Sequence, residues 1–542
     1  MKSTNYAHER SRPTGEATCY EYLLDGADRK GCIVYYGHKI PISAFLADVE
    51  NLAGAFCTLG LQKGDVVTLY LPSCPQALAA FYVCSKLGLI ANVIHPLVPV
   101  KKLAENLEKT QSKVLLFYDA TVKDERPLSN LNQTLVRCSI ADYVTFRKPV
   151  YAIYSRLSGK RLKGIATYRQ LLEKGSGVSS DLNGKGADLL CYMHSGGTSG
   201  QPKIVKLTND AFNGVCDGMN AMYHPDVKHG EYQLATLPVF HAYGLCSAMH
   251  GPLWDGYSLV IVPKFDTRSV KKYLNKYNVR GWSVVPAMLK KMLSDGTFDS
   301  KGLGHLDVIW CGGDVCDEKL VERVNAILSK HGTRARLMRG YGLTEMCGVC
   351  IVNNYDYYQK ESCGRPMPQN FVEIWDDDGA TLPEGEMGEI AVAGSGVMSG
   401  YLEGDDCLVK REGKTWVKTG DVGYLKDGYL HVVDRKKRSL KIAAVNVFPA
   451  QIEECVGQLD FVSEACAVGV RLDGKQFVKV YVTLKCAMDA ERVKREVIEI
   501  CKTNLMPYAV PYFVEVIEQM PRTDFGKIDY KSLEKREWVE KN

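Results

Sequence analysis

Apolar residues recur along the first two thirds of the chain in two alternating rhythms. Residues 76–90 carry them at helical spacing, as does the charged stretch 99–112, and the apolar run Leu115-Leu-Phe-Tyr118 then reads as a strand. The order repeats downstream. Residues 267–277 predict a helix and Gly281-Trp-Ser-Val-Val285 an extended segment; 317–330 predict a helix, with a short strand over Arg334 to Met338. Helices alternating with short apolar strands favour parallel sheets covered by helices. After about residue 365 the texture changes. Short strands at Phe371-Val-Glu-Ile-Trp375, Gly388-Glu-Ile-Ala-Val-Ala393 and Tyr429-Leu-His-Val-Val433 take over, with Asp-Gly pairs at 378–379 and 427–428 that suggest hairpins. This region predicts a small β-barrel or a curled sheet. A second change falls at Asp434-Arg-Lys-Lys-Arg438, which reads either as a solvated turn or as an interdomain hinge. Beyond it, helices at 449–458 and 489–503 and strands near 464–470 and 477–484 suffice for a small α+β domain.

One loop interrupts this scaffold with a different chemistry. The strand candidate Asp188 to Met193 leads into Ser195-Gly-Gly-Thr-Ser-Gly-Gln-Pro-Lys203, and residues 208–222 then look helical. Glycines let a backbone turn tightly and approach a ligand. Bare N–H groups, hydroxyls and a lysine suit a polyphosphate. A strand, a Gly-rich loop and a helix mark the place where α/β proteins hold nucleotides. The loop lacks both Walker A and Gly-x-Gly-x-x-Gly spacing, and alone it fits a plain turn or linker as well.

Composition narrows the setting. A chain of 542 residues is too long for one core, so two or more domains are expected. A net charge of +5 and the lack of a long basic run argue against a nucleic-acid binder. No apolar signal core opens the chain and no run reaches membrane-spanning length. With 19 cysteines in no repeating framework, a reduced, cytoplasmic protein fits. Cys347-Gly-Val-Cys350 has no matching second pair, so packing is favoured over zinc.

Further short motifs follow the loop in order: Leu237-Pro-Val-Phe-His-Ala-Tyr-Gly244, Gly312-Gly-Asp314, Arg339-Gly-Tyr-Gly-Leu-Thr-Glu345, and Val397-Met-Ser-Gly-Tyr401. Trp416-Val-Lys-Thr-Gly-Asp421, Asp434-Arg435, Asn446-Val-Phe-Pro449 and Pro521 to Lys527 complete the series. The segment 339–345 reads as one Gly-flexed turn bearing an aromatic ring, a hydroxyl and a carboxylate. Together these motifs resemble, over nearly the whole chain, the adenylate-forming superfamily of acyl- and aryl-CoA synthetases, adenylation domains and luciferases.

The resemblance implies a large N-terminal domain over 1–434, with α/β subdomains at 1–365 and a β-rich part at 366–434. A smaller mobile α+β domain at 435–542 would carry the catalytic lysine. It implies that a carboxylic acid attacks ATP to give acyl-adenylate and pyrophosphate, after which a thiol displaces AMP. Ser195, Gly196, Gly197, Thr198, Ser199, Gly200 and Lys203 would hold the β- and γ-phosphates. Gly312, Gly313, Asp314, Tyr341 and Gly342 would bind the nucleotide, with Tyr341 stacking on the adenine. Thr344 would bond the α-phosphate and Glu345 would bind Mg²⁺. Asp421 would accept the ribose hydroxyls with Arg435 assisting, and Lys527 would bridge the substrate carboxylate and the α-phosphate. Lys437 falls at the family hinge. His241 resembles the histidine that gates the acyl pocket and thiol path. Val239, Tyr243, Val285, Ala287, Gly340 and Met346 would line that pocket. Their small or apolar character points to a fatty or aryl acid rather than an amino acid.

Two departures stand out. Ile204 replaces the usual glycine after Pro-Lys. Ala444 replaces the glycine past which pantetheine runs. Coenzyme A is the expected thiol; an acyl carrier protein's phosphopantetheine, acting in trans, is the rival. A catalytically silent nucleotide-binding homologue is the alternative of a different class.

Overall fold

The computed structural model describes residues 15–144, 161–195, 203–223, 227–404, 407–442, 445–472, 475–523 and 528–536. The chain divides into two compact units. The first is Met1–Phe371 with Val392–Val417, and the second is Val372–Ala391 with Lys418–Asn542.

Among the described residues, the first unit holds two large sheets. One has nine strands, in the order Arg365–Pro366, Gly348–Val352, Leu337–Leu343, Val308–Cys311, Val279–Val284, Tyr232–Ala235, Ser258–Ile261, Cys32–Tyr35 and His38–Pro41. From Leu337–Leu343 to Cys32–Tyr35 all neighbours run parallel, and the outer pairs are antiparallel. The other has seven strands, in the order Ala166–Thr167, Thr134–Cys138, Ser112–Tyr118, Val66–Tyr70, Ile90–Val93, Leu189–Ser195 and Lys203–Thr208. Strand alternation sorts the side chains. Ile33 and Tyr35 enter one core and Val34 the opposite one. Helices Thr267–Lys276, Pro286–Ser294 and Glu318–Lys330 give Val270, Leu289 and Val324 to the core around Val34, Trp282 and Ile309.

The helix Pro75–Leu87 shows how sequence and position agree. It starts with proline in its first turn and ends at Gly88, whose φ of 71° is left-handed. Every residue in it is buried. Its Leu78 and Phe81 share a core with Ile261 of one sheet and with Val67 and Leu116 of the other. A helix buried on every face, Gln76, Ser85 and Lys86 included, needs such a place, and each large apolar side chain buried there contributes roughly 1.5–3 kcal/mol.

Two expectations shift. The Gly-rich loop is followed first by a strand, Lys203–Thr208, antiparallel to Leu189–Ser195, and only then by the helix Asn209–Tyr223. Ile204, Val205 and Leu207 are buried and take up the hairpin pairing. The strand placed at 334–338 runs instead from Leu337 to Leu343, so Tyr341 and Gly342 lie on a strand, not a turn. A Cβ on Gly342 would stand 1.9 Å from Gly348 O, so only glycine lets the pair with Gly348–Val352 close.

The strand Lys414–Lys426, which lies in the second unit from Lys418 on, pairs over 421–426 with Tyr429–Arg435 through a turn at Asp427 and Gly428, both at positive φ. The five-stranded sheet in the order Phe371–Trp375, Gly388–Ala393, Lys414–Lys426, Leu408–Arg411, with Tyr429–Arg435 also paired to Lys414–Lys426, is an open path, with no pairing that closes a barrel among the described residues. Three further strands, Val462–Leu472, Lys475–Leu484 and Phe513–Val516, pack through Val468, Val480 and Val482 among others. Helices Pro449–Val456 and Ala490–Asn504 cover them with Ile452, Val493 and Val497.

Candidate functional site

The loop expected to hold phosphates is closed by its hairpin. Ser195 and Lys203 are cross-strand partners. Gly196, Gly197, Thr198, Ser199 and Gly200 lie outside the described residues, as do Ala444 and Lys527.

What the hairpin does with Lys203 is visible. Its Nζ stands 4.0 Å over the ring of Tyr401. The Tyr401 hydroxyl donates to Glu345 Oε1 at 2.9 Å. Thr344 and Glu345 form a single 3-10 turn, Thr344–Met346, directly after the glycine-bearing strand Leu337–Leu343. That turn is held from outside, because Met398 N–H donates to Glu345 O at 2.9 Å. A lysine and an acid far apart in sequence thus meet on one phenol. Burial, then the Glu345 charge, raise the Tyr401 pKa, so the hydroxyl remains a donor.

This set fits Mg²⁺. No group of three or more metal-binding side chains occurs among the described residues. A hard cation that keeps most of its waters and binds substrate phosphate needs only one or two carboxylates from the protein. Glu345 is half-buried, and it receives the Tyr401 hydroxyl on one of its two oxygens.

Of the residues expected to line the acid pocket, Gly340 lies on the nine-stranded sheet and Tyr243 comes close to it. The segment after His241 is an eight-residue π-helix, Tyr243–His250, a form concentrated at functional sites. The Tyr243 hydroxyl donates to Trp310 O at 3.1 Å. A Cβ on Gly312 would meet Gly340 O at 3.3 Å and Tyr243 Cε1 at 3.7 Å, so Tyr243, Gly312 and Gly340 converge. Gly313, with φ of 80°, faces Val285 at 3.4 Å from its would-be Cβ. Val239 is buried and its N–H donates to Ser73 Oγ at 3.0 Å. Met346 is fully buried, while Ala287 and Asp314 are exposed. Tyr341 is buried on its strand. His241 is half-buried and its ring centroid lies 5.4 Å from that of Phe240, which in turn lies 4.4 Å from that of His95. Cys347 and Cys350 pack in the interior.

In the second unit, Gly420 has φ of 70° and its N–H donates to Glu389 Oε1 at 3.2 Å. Asp421 follows it, buried, with Arg435 Nε 2.8 Å from its Oδ1. The charge run is a network rather than a bare solvated turn. Asp434 accepts from Ala450 N–H at 2.8 Å, Lys436 pairs with Glu389 at 3.0 Å and with Asp377 at 2.9 Å, and Arg438 pairs with Glu453. Lys437 is exposed in the middle of it, on the turn Lys436–Arg438. The sequence places Tyr401 inside the motif Val397-Met-Ser-Gly-Tyr401 and marks it for no task. The signal available was an aromatic hydroxyl on a Gly-Tyr step, which becomes meaningful only beside Lys203 and Glu345.

Comparison with known proteins adds an independent line. A family model described as "AMP-binding enzyme" matches residues 25–402, and one described as "AMP-binding enzyme C-terminal domain" matches 451–527. A long-chain-fatty-acid–CoA ligase of Bacillus subtilis is 28% identical over 536 residues, covering 95% of this chain and 94% of that protein. An indoleacetate–CoA ligase of Aromatoleum aromaticum is 29% identical over 495 residues, covering 89% and 90%. Among solved structures, a benzoate CoA ligase of Burkholderia xenovorans superposes with a TM-score of 0.80 at 19% identity, covering 96% of this chain and 100% of that one. The o-succinylbenzoate CoA synthetase of Bacillus subtilis, solved with its acyl-adenylate, gives 0.77 at 20% identity, covering 97% and 99%.

Proposed function

The chain belongs to the AMP-binding enzyme family, and we propose on that premise that it is an ATP-dependent acid–thiol ligase. It activates an apolar fatty or aryl acid as acyl-adenylate and passes the acyl group to coenzyme A. The observation that carries this reading is the meeting of Lys203 and Glu345 on Tyr401 beside the Gly-rich loop. It brings a cation and a hard carboxylate together at Lys203, the residue on which the phosphate motif of the sequence ends.

The first half-reaction brings two anions together, so the residues must neutralise charge. Lys203 and the loop hydroxyls of Ser195, Thr198 and Ser199 would bind the β- and γ-phosphates. Glu345 would hold Mg²⁺, which supplies positive charge to phosphate oxygens when bound. Thr344 would donate to the α-phosphate, and Lys527 would steady both the attacking carboxylate and the α-phosphate. Tyr341 would stack on the adenine and, with the glycines 312, 313 and 342 and Asp314, bind the nucleotide; Asp421, fixed by Arg435, would accept the ribose hydroxyls. In the second half-reaction Lys437 would serve as the pivot of a C-terminal domain beginning at 435. The His241 ring would then turn from the acid toward the thiol path.

Two of the chain's relatives are named as ligases of a long-chain fatty acid and of indoleacetate, both apolar acids. The acid-site residues of this chain, with Tyr243, Gly312 and Gly340 in contact range, are apolar or small in the same sense. Among the described residues no helix is long and apolar enough to cross a membrane. Nineteen cysteines in no repeating framework support a reducing compartment such as the cytoplasm as the working environment.

The test is ATP–pyrophosphate exchange across a panel of fatty, aryl and amino acids, followed by coenzyme A. Exchange with an apolar acid and release of its CoA thioester is the expected result. Exchange without a CoA thioester, but with acyl transfer to a carrier protein, replaces the acceptor. No exchange with any acid removes the ligase reading.

A further inference from the structure

Tyr401 joins two side chains that the proposed chemistry uses separately. Its ring lies under the Lys203 ammonium at 4.0 Å, and its hydroxyl donates to Glu345 Oε1 at 2.9 Å. Its place is fixed by backbone. Tyr401 bridges Val205, Leu402 N–H donates to Ile204 O at 2.8 Å, Lys206 N–H to Gly400 O at 3.0 Å and Ser399 N–H to Lys206 O at 2.8 Å. The segment 399–402 is thereby laid along the strand Lys203–Thr208. Beyond it, Glu403 pairs with Lys109 at 2.5 Å. Tyr401 is 8% exposed, so the ring has little room to leave.

We propose that Tyr401 is a positioning residue for the metal–triphosphate group, its ring aiming Lys203 and its hydroxyl aiming Glu345 before ATP arrives. This rests on the reading of the site as an ATP site. The physical reason is that lysine and glutamate are long and lose rotamer freedom when they bind a ligand. Holding them beforehand removes part of that cost from binding. A phenol is suited to both jobs, because a π-face attracts an ammonium while a hydroxyl donates to a carboxylate. The two functions sit on one rigid ring, so the cation and the carboxylate keep a fixed relation.

The two jobs separate by substitution. Tyr401→Phe keeps the π-face and removes the donor; Tyr401→Leu removes both. The experiment measures ATP binding to the full chain by calorimetry over a series of Mg²⁺ concentrations, with no acid present. For Tyr401→Phe the Mg²⁺ concentration that half-saturates the tightening of ATP binding rises about tenfold, the size of a lost hydrogen bond to a charged group. Its affinity for ATP without metal stays within about twofold of wild type. Tyr401→Leu shows the same rise and, in addition, about threefold weaker metal-free binding through Lys203. A wild-type Mg²⁺ midpoint in Tyr401→Phe overturns the proposal, and so does an equal loss with and without metal. If Tyr401→Leu loses its cooperative melting transition, Tyr401→Phe decides alone. Wild-type protein that binds Mg-ATP but exchanges pyrophosphate with no acid removes the ligase reading and leaves Tyr401 in place. Wild-type protein that binds no ATP removes both.

Discussion

Arg435 Nε stands 2.8 Å from Asp421 Oδ1, and the two residues face each other across one antiparallel strand pair. The carboxylate is enclosed, with its side chain 7% exposed, whereas the guanidinium is 48% exposed. The arginine therefore fixes the carboxylate's rotamer while its own far side remains in water. Asp421→Ala is expected to weaken ATP binding by at least tenfold, since it removes the acceptor for the ribose. Arg435→Ala is expected to weaken it less and to cost only about 1 kcal/mol of stability, because the pair is half open to solvent. ATP titration and urea melts check both. Unchanged ATP affinity in Asp421→Ala sinks the ribose assignment.

Lys527 is assigned from its motif, and its role divides the reaction in two. In Lys527→Ala, acid-dependent pyrophosphate exchange should fall by about 10²-fold or more, the scale of losing a donor aimed at developing charge. Thioester formation from chemically prepared acyl-adenylate should stay within about threefold of wild type. A parallel loss of both steps would refute a role confined to adenylation.

Ala444 yields the opposite split. Glycine there would clear a methyl group from the proposed pantetheine path. Ala444→Gly is expected to speed thioester formation from preformed acyl-adenylate, while leaving exchange unchanged. Single-turnover transfer to coenzyme A measures it; an unaltered or slower transfer shows that the methyl group does not obstruct the thiol.

His250 sets an acid limit on stability. Its ring is fully buried between Tyr82, 3.1 Å from Nδ1, and Asn213, 3.2 Å from Nε2. Burial pushes its pKa down to about 3. The folded state keeps the ring neutral while the unfolded chain takes a proton near pH 6.5. Its contribution is therefore complete above about pH 6.5 and is lost as pH falls toward 3. Half-buried Asp217, raised to about 6 by desolvation, has the opposite sign and favours the folded state on acidification. Comparing wild type with His250→Gln isolates the imidazole. Between pH 7 and 5 wild type should lose about 2 kcal/mol more than the variant in urea unfolding. Parallel stability curves would show that the ring titrates normally.

The chain itself determined a good deal. Helix Pro75–Leu87, helix Thr267–Lys276, strand Ser112–Tyr118 and helix Ala490–Asn504 match ranges legible in the hydrophobic pattern. That pattern is local, and a period of 3.6 or 2 is written in neighbouring residues. Motif order was also legible, because it lies along one dimension. The strand Leu337–Leu343 was not, since its glycines read as a turn, and only the facing backbone at Gly348 shows why they are needed. Nor was the strand Lys203–Thr208, whose pairing decides where the lysine points. The junction of Lys203, Tyr401 and Glu345 belongs wholly to the tertiary structure. Sheet register and the strand-like docking of 399–402 bring three distant segments together, and no spacing along the chain encodes that distance.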